Sequence, residues 1–215
     1  MMTPQLQQGH DDDAATSASA SGSQRRGRPG YDRETLVEIC VDVFNRHGYD
    51  ATSMGMLAAH LGISKSAIYH HVESKEAILE SALDAALDAL DDALAAVEAA
   101  PGTAVERVEE SVRATLRVLL ARMPAVTLLL RLRGNSELET RALERRRAIT
   151  QRVAQLVAAA QAEGTVRDDV PPRAVARLML GMVNSMVDWY RADADRDQQD
   201  TIRAVTSVVM GGLRG

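Results

Sequence analysis

Between Thr52 and Lys75 the chain reads TSMGMLAAHLGISKSAIYHHVESK, two short helix-patterned segments joined at Gly62-Ile63-Ser64. Met54, Leu57, Ala58 and Leu61 recur at intervals of three and four, so one stripe of the first segment faces a core while His60 points away. Ser53 or Thr52 caps its start. Gly62 follows the last periodic residue, where a chain leaving a helix often turns to positive φ, which glycine adopts without steric cost. Ile63 anchors the turn, Ser64 is the next N-cap, and Ala67, Ile68 and Val72 give the following helix its buried side. Ala58 is small where the two helices must cross closely. This is the layout of a helix-turn-helix.

The second helix turns Ser64, Lys65, Ser66, Tyr69, His70 and His71 outward, a set of donors and aromatic faces sized for a DNA major groove. No carboxylate appears until Glu73, and an acid on that face would repel phosphate. The flanks complete a small domain. Upstream, Asp32 to His47 is patterned as an amphipathic helix with Leu36, Ile39, Cys40, Val43 and Phe44 on one stripe, stopped at His47-Gly48. Downstream, Lys75 opens a long helix in which Ile78, Leu79, Leu83, Leu87, Leu90 and Leu94 tie the three-helix head to the rest of the chain.

The segment from Arg33 to Leu83 resembles the DNA-binding head of the TetR family of bacterial transcriptional repressors. The likeness rests on Phe44, Gly48 and Tyr49 closing the first helix, Thr52-Ser53-Met54 opening the second, and Gly62-Ile63-Ser64-Lys65 at the turn. Ala67-Ile68-Tyr69-His70-His71-Val72 and Ser74-Lys75-Glu76 extend it. Met56 stands where the family commonly has isoleucine, and His70-His71-Val72 replaces a more aromatic version. The resemblance implies phosphate clamps at Thr52 and Tyr69 and a groove-facing start of the recognition helix at Ser64, Lys65 and Ser66. It implies further backbone or base contacts from His70 and His71, and a lysine, Lys75, that reaches phosphate beside free amides at a helix N-terminus. Phosphate contacts position the protein and base contacts specify the site.

The net charge of −5 over 215 residues is unusual for a partner of DNA. From Arg25 to Lys75, however, seven basic residues meet six acidic ones, and affinity depends on cations within a Debye length of the phosphates rather than on the total. Residues 1–23 are polar and small with almost nothing apolar to bury, which predicts disorder. Gln24 to Gly30, QRRGRPG, is a basic arm resembling an AT-hook, so that Arg25, Arg26 and Arg28 either enter an A·T minor groove or act as a solvated tail of nonspecific attraction. Residues 31–75 form the expected DNA-binding domain and 76–215 an effector-binding and dimerisation domain. The fold class is all-α, with about nine helices.

Past residue 75 there are no β-period runs, and aromatics make up 3% of the chain. Val105, Val108, Val112, Leu116, Leu119, Leu120 and Met123 form one stripe expected to break at Pro124. Val126, Leu128, Leu129, Leu130 and Leu132 suggest a short buried helix, and Ser136 to Gln161 a long one ended by Gly164. Thr165 to Pro172 is a loop, with Pro171-Pro172 suited to a helix start. The last two helices carry more apolar surface than one chain can cover: Val175, Leu178, Met179, Met182, Val183, Met186 and Val187, then Ile202, Val205, Val208, Val209, Met210 and Leu213. Gly181 permits close approach there, and the family builds a homodimer on these helices, the symmetry that sets two recognition helices about 34–36 Å apart on a palindrome. Packing within one chain is the alternative.

The expected effector pocket is lined by Leu119, Met123, Val126, Leu130, Met179, Met182 and Trp189, with Arg133 beside it. Arg131, Arg133, Arg141, Arg145, Arg146 and Arg147 suit an anionic ligand such as an acyl-CoA, the preferred effector, although a solvated face paired with Glu137, Glu139 and Glu144 would also account for them. Enzyme motifs are missing. None of the histidines His10, His47, His60, His70 or His71 follows a glutamate by three residues, as a di-iron bundle requires, and there is neither a Gly-x-Ser-x-Gly elbow nor a phosphate loop. No metal or other cofactor is expected. Cys40 reads as a core residue, and no run of 18 apolar residues or signal peptide is present, so the cytoplasm is the expected compartment. The reading is a DNA-binding regulator, a repressor released from a palindromic operator by a small-molecule effector, with a regulator of the same fold lacking ligand response as the alternative and a helical-bundle enzyme behind both.

Overall fold

The computed structural model describes residues 31–191 and 197–214; the tail 1–23 and the basic arm 24–30, with Arg25, Arg26 and Arg28, lie outside the described residues. Among the described residues every regular element is a helix: α1 Arg33–His47, α2 Met54–Leu61, α3 Lys65–Tyr69, α4 Lys75–Ala99, α5 Ala104–Ala121, α6 Met123–Arg131, α7 Glu137–Ala162, α8 Pro172–Asn184, α9 Met186–Trp189 and α10 Gln198–Leu213. Ten segments stand where about nine were expected, because the apolar run after Pro172 breaks at Ser185 into α8 and the four-residue α9.

Local chemistry sets the ends of the first four helices. The side chains of Asp32, Ser53, Ser64 and Ser74 each accept the backbone N–H three residues on, at 2.8, 3.2, 3.1 and 3.0 Å, satisfying amides that would otherwise lack partners. Gly62 ends α2 in the left-handed region at φ +68°, as its place after Leu61 requires. Thr103 and Glu106 form a reciprocal capping box on α5. The stripe breaks beside Pro124, as expected: α5 ends at Ala121 with Arg122 as its cap, because a proline at 124 can neither bond to nor clear the carbonyl of residue 120, and the proline lies in the first turn of α6, where a missing N–H costs nothing.

The head, α1 to α3, closes over Leu36, Cys40, Phe44, Leu57, Leu61 and Ile68, all buried. It is held to the body by α1, which lies against both α4 and α6. Asn45 Nδ2 donates to Pro124 O at 2.8 Å and Arg131 Nη1 to Asn45 O at 2.9 Å, so the two ends of α6 are pinned to one turn of α1. In the body α4, α5, α7 and α8 pack as a bundle, and α10 covers α5. Burial raises the Cys40 thiol from 9.0 to about 11, the behaviour of a small core residue rather than a nucleophile. Among the described residues, no helix is long and apolar enough to cross a membrane.

The arginines of α7 do not pair with Glu137, Glu139 and Glu144. Arg141 reaches Glu80 at 3.0 Å, and Arg145 reaches Asp84, Asp88 and Asp91 at 3.2, 2.6 and 2.8 Å. Arg152 reaches Asp91 at 3.1 Å and Glu98 at 2.9 Å. The ladder runs to α4 because one face of that helix carries acids at successive turns. Glu139 instead is buried at the start of α7, where its Oε2 accepts the backbone N–H of Arg133, Gly134 and Asn135 at 3.2, 2.9 and 3.1 Å.

Candidate nucleic-acid interface and effector cavity

The polar face of α3 is built from its N-cap outward. Ser64 Oγ accepts from Ala67 N, and it also shares a 2.9 Å hydrogen bond with Ser66 Oγ, so the two hydroxyls are pre-oriented beside the exposed Lys65. Tyr69, 47% exposed, stands one turn further on the same helix, while Ile68 is fully buried beneath. The helix is shorter than its pattern suggested. It ends at Tyr69, and His70 and His71 lie in the following turn, His70 exposed and His71 half-buried. No carboxylate lies between Ser64 and Val72, so the face offers donors without a competing negative charge.

Two of the positions expected to touch phosphate are otherwise engaged. Thr52 is buried, and its hydroxyl donates 2.7 Å to Gly48 O. It closes the turn between α1 and α2 and does not present that proton outward, while Ser53 supplies the cap of α2. Lys75, half-buried at the start of α4, donates to Tyr49 O at 2.9 Å and lies 4.3 Å above the Tyr49 ring. Tyr49 in turn meets Phe44 edge-on with centroids 5.1 Å apart. Ser64, Lys65, Ser66, Tyr69 and His70 remain as the exposed polar groups of this surface.

The expected pocket residues separate. An open cavity of about 420 Å3 lies between α4, α5, α6, α7 and α8, and only Val126 and Leu130 of the expected eight line it. Leu119 is buried in the body and Met123 half-buried at the start of α6. Arg133 lines a smaller recess of about 190 Å3 beside Tyr49 and Glu139. Met179 and Met182 face an apolar groove on the outside of α8 and α10, completed by Leu178, Val208, Val209 and Leu213. Trp189 is 51% exposed, its ring edge-on to Tyr190. An apolar residue on α8 carries no mark in the sequence of which of its two neighbours it faces. The cavity also takes in Arg173 and Arg177, which the sequence reading passed over; their signal was a like-charged pair one turn apart with no acid elsewhere on the same helix.

The family description "Bacterial regulatory proteins, tetR family" matches residues 36–82, and "Tetracyclin repressor-like, C-terminal domain" matches residues 101–213, more than half of the chain. The protein belongs to the TetR family of transcriptional regulators. It is similar to SCO3833, a TetR-family member from Streptomyces coelicolor A3, with 49% identity and a TM-score of 0.77 over 84% of this chain and 92% of that one. The regulator UidR of Escherichia coli K12 is 23% identical over 171 residues, 80% of this chain and 84% of the relative. A match to YerO of Bacillus subtilis, 40% identical over 50 residues, spans 17% of that relative. AibR, solved with isovaleryl coenzyme A and operator DNA, shares the fold at a TM-score of 0.69 and 22% identity, over 82% of this chain and 96% of its own. This TetR-family chain is therefore a transcriptional regulator rather than an enzyme, and its family binds operator DNA and dimerises.

Proposed function

We propose that the protein is a homodimeric repressor that holds a palindromic operator through two α3 helices and leaves it when a small-molecule effector binds. The observation that carries this is the capped, acid-free face of Ser64, Lys65, Ser66 and Tyr69, displayed on a helix whose opposite side, Ile68, is locked into the head. On this reading residues 31–75 form the DNA-binding domain, 76–215 the effector-binding and dimerisation domain, and the work is done in the cytoplasm. The basic arm, with Arg25, Arg26 and Arg28, adds phosphate or minor-groove contacts.

Dimerisation through the last long helices, α8 and α10, is supported by the exposure of Leu178, Met182 and Val208 around one groove, apolar surface of a kind that monomers cover. A two-fold axis there pairs the heads. An effector lodged in the body then acts through α4, which runs from the bundle to the head, by changing the separation of the two α3 helices. An acyl-CoA is the favoured effector class, supported by the fold shared with AibR.

The test is binding of the full chain to DNA upstream of its own gene at low ionic strength, with mass in solution measured alongside. Saturable binding of two chains per palindrome is expected; a monomer indifferent to that DNA refutes the reading.

A further inference from the structure

Within the cavity between α4 and α8, Leu90, Val126, Leu129, Leu130, Ile149 and Leu180 make an apolar floor. Arg146, Arg147, Arg173 and Arg177 stand around it, and its lining holds no aspartate or glutamate. Arg146 is half-buried, with Nη1 donating 3.2 Å to Leu129 O; the other three are exposed at the mouth. Among the described residues, Arg147, Arg173 and Arg177 have no hydrogen-bond or ion-pair partner and Arg146 has no carboxylate.

The other face of α7 gives the contrast. Arg141, Arg145 and Arg152 each reach at least one carboxylate of α4, so the same helix neutralises the arginines on its α4-facing side. Around the cavity nothing offsets the crowding. Burial and the neighbouring Arg147 both push the Arg146 guanidinium below its ordinary range. Arg173 sits in the first turn of α8, where the helix end is itself positive, one turn from Arg177. Four like charges on a low-dielectric wall focus a positive potential at the mouth.

We propose that this cavity binds an amphipathic anion, a hydrocarbon tail carrying a polyphosphate head, with the tail on the apolar floor and the head held at the rim by Arg147, Arg173 and Arg177. The volume of about 420 Å3 lies within the range of roughly 300–1,000 Å3 common to small-molecule sites. A guanidinium grips phosphate oxygens with a planar fork of donors, and three exposed forks fit a head with several charged groups outside the mouth better than a single carboxylate inside it. The inference rests on the ligand-responsive reading above and assigns that ligand its chemistry.

Two sources share this chemistry, an acyl-CoA and a prenyl diphosphate, and the test separates them. Octanoyl-CoA and farnesyl diphosphate are titrated into the full-length protein by calorimetry and thermal shift, with free coenzyme A and octanoate as controls. One or both amphipathic polyanions should bind and raise the melting temperature, while each control binds about tenfold more weakly or worse. In the double variant Arg147→Ala/Arg177→Ala that affinity should fall at least about tenfold, with a shallower salt dependence, and the melting temperature of the free variant reports its folding. Failure of both amphiphiles to bind, a control that equals them, or a folded double variant that binds as the parent does would each overturn the proposal. Operator binding is measured on the same preparation without ligand. Its loss counts against the repressor reading, and loss of ligand binding counts against this inference alone.

Discussion

The Lys75 ammonium donates to the Tyr49 carbonyl at 2.9 Å while resting 4.3 Å above the Tyr49 ring, so one side chain fastens the start of α4 to the loop that follows α1. The bond is charge-assisted and half-buried, and its position makes any shift of α4 felt by the head. Only one of the lysine's three donors is used on Tyr49 O, which leaves donors for a phosphate.

Replacing Lys75 with alanine removes both contacts and should cost about 1–2 kcal/mol in urea unfolding. Operator binding should weaken equally for every sequence, the mark of a residue that positions rather than reads. A variant with unchanged midpoint and unchanged binding would show the contact to be idle.

The face of α3 divides in the same terms. Tyr69→Ala should lower affinity for all sequences alike, whereas Lys65→Ala or Ser66→Ala should change which operator is preferred, by about 1–3 kcal/mol at the base pair concerned. Competition binding against a library of single-base operator variants reads this out, and identical preference profiles for all three variants would refute the division.

Leu178 is 69% exposed and Val208 64% exposed in the groove of α8 and α10. Leu178→Glu places a charge on that surface and should yield a helical monomer with greatly weakened operator binding. Sedimentation and circular dichroism check the two halves of the statement; a dimer that persists would move the interface elsewhere.

Arg145 holds three aspartates of α4 together. In Arg145→Ala these carboxylates are left facing one another, and stability should drop by about 1 kcal/mol at low ionic strength and by less in high salt, because the pairs are partly exposed and screened. A loss independent of salt would mean that packing of the arginine stem, not charge, joins α7 to α4.

Alkaline pH should weaken the head. Burial raises Cys40 from 9.0 to about 11, and Tyr49 rises from 10.0 to about 12 through burial first, with Glu76, Asp50 and Glu139 adding negative charge nearby. Both groups keep their protons longer when folded than when unfolded. Their contribution is therefore complete below the unfolded values and is lost as pH climbs from about 9 towards 12. Urea midpoints should fall across that window, less so in Cys40→Ala, and an equal fall in both proteins would exclude the thiol as a cause.

The helix-turn-helix was legible because its punctuation is local. Ser53, Ser64, Ser74 and Gly62 act within three residues of where they stand. Thr52 was not, since whether a residue at a turn points in or out depends on what packs across it, here Gly48 O. Arg145 and Arg146 make the same point more sharply. They are adjacent in a run of arginines, yet about 100° of helical rotation sends one to the acids of α4 and the other to the cavity wall. Met182 and Trp189 were misplaced for the reverse reason, because apolar character does not say whether a ligand, a partner or the core is the neighbour. The break at Ser185 had no glycine or proline to announce it.

Glu139 grips the connection between α6 and α7 by its peptide groups alone, three amides on one carboxylate oxygen, with Gly134 taking the φ of +87° that the turn demands. Recognition of this kind is blind to what hangs from positions 133 and 135. Mutational drift can rewrite those two side chains, and with them the chemistry displayed beside Tyr49, while the course of the polypeptide stays put; the joint is a frame into which evolution, or an engineer, can set new contacts.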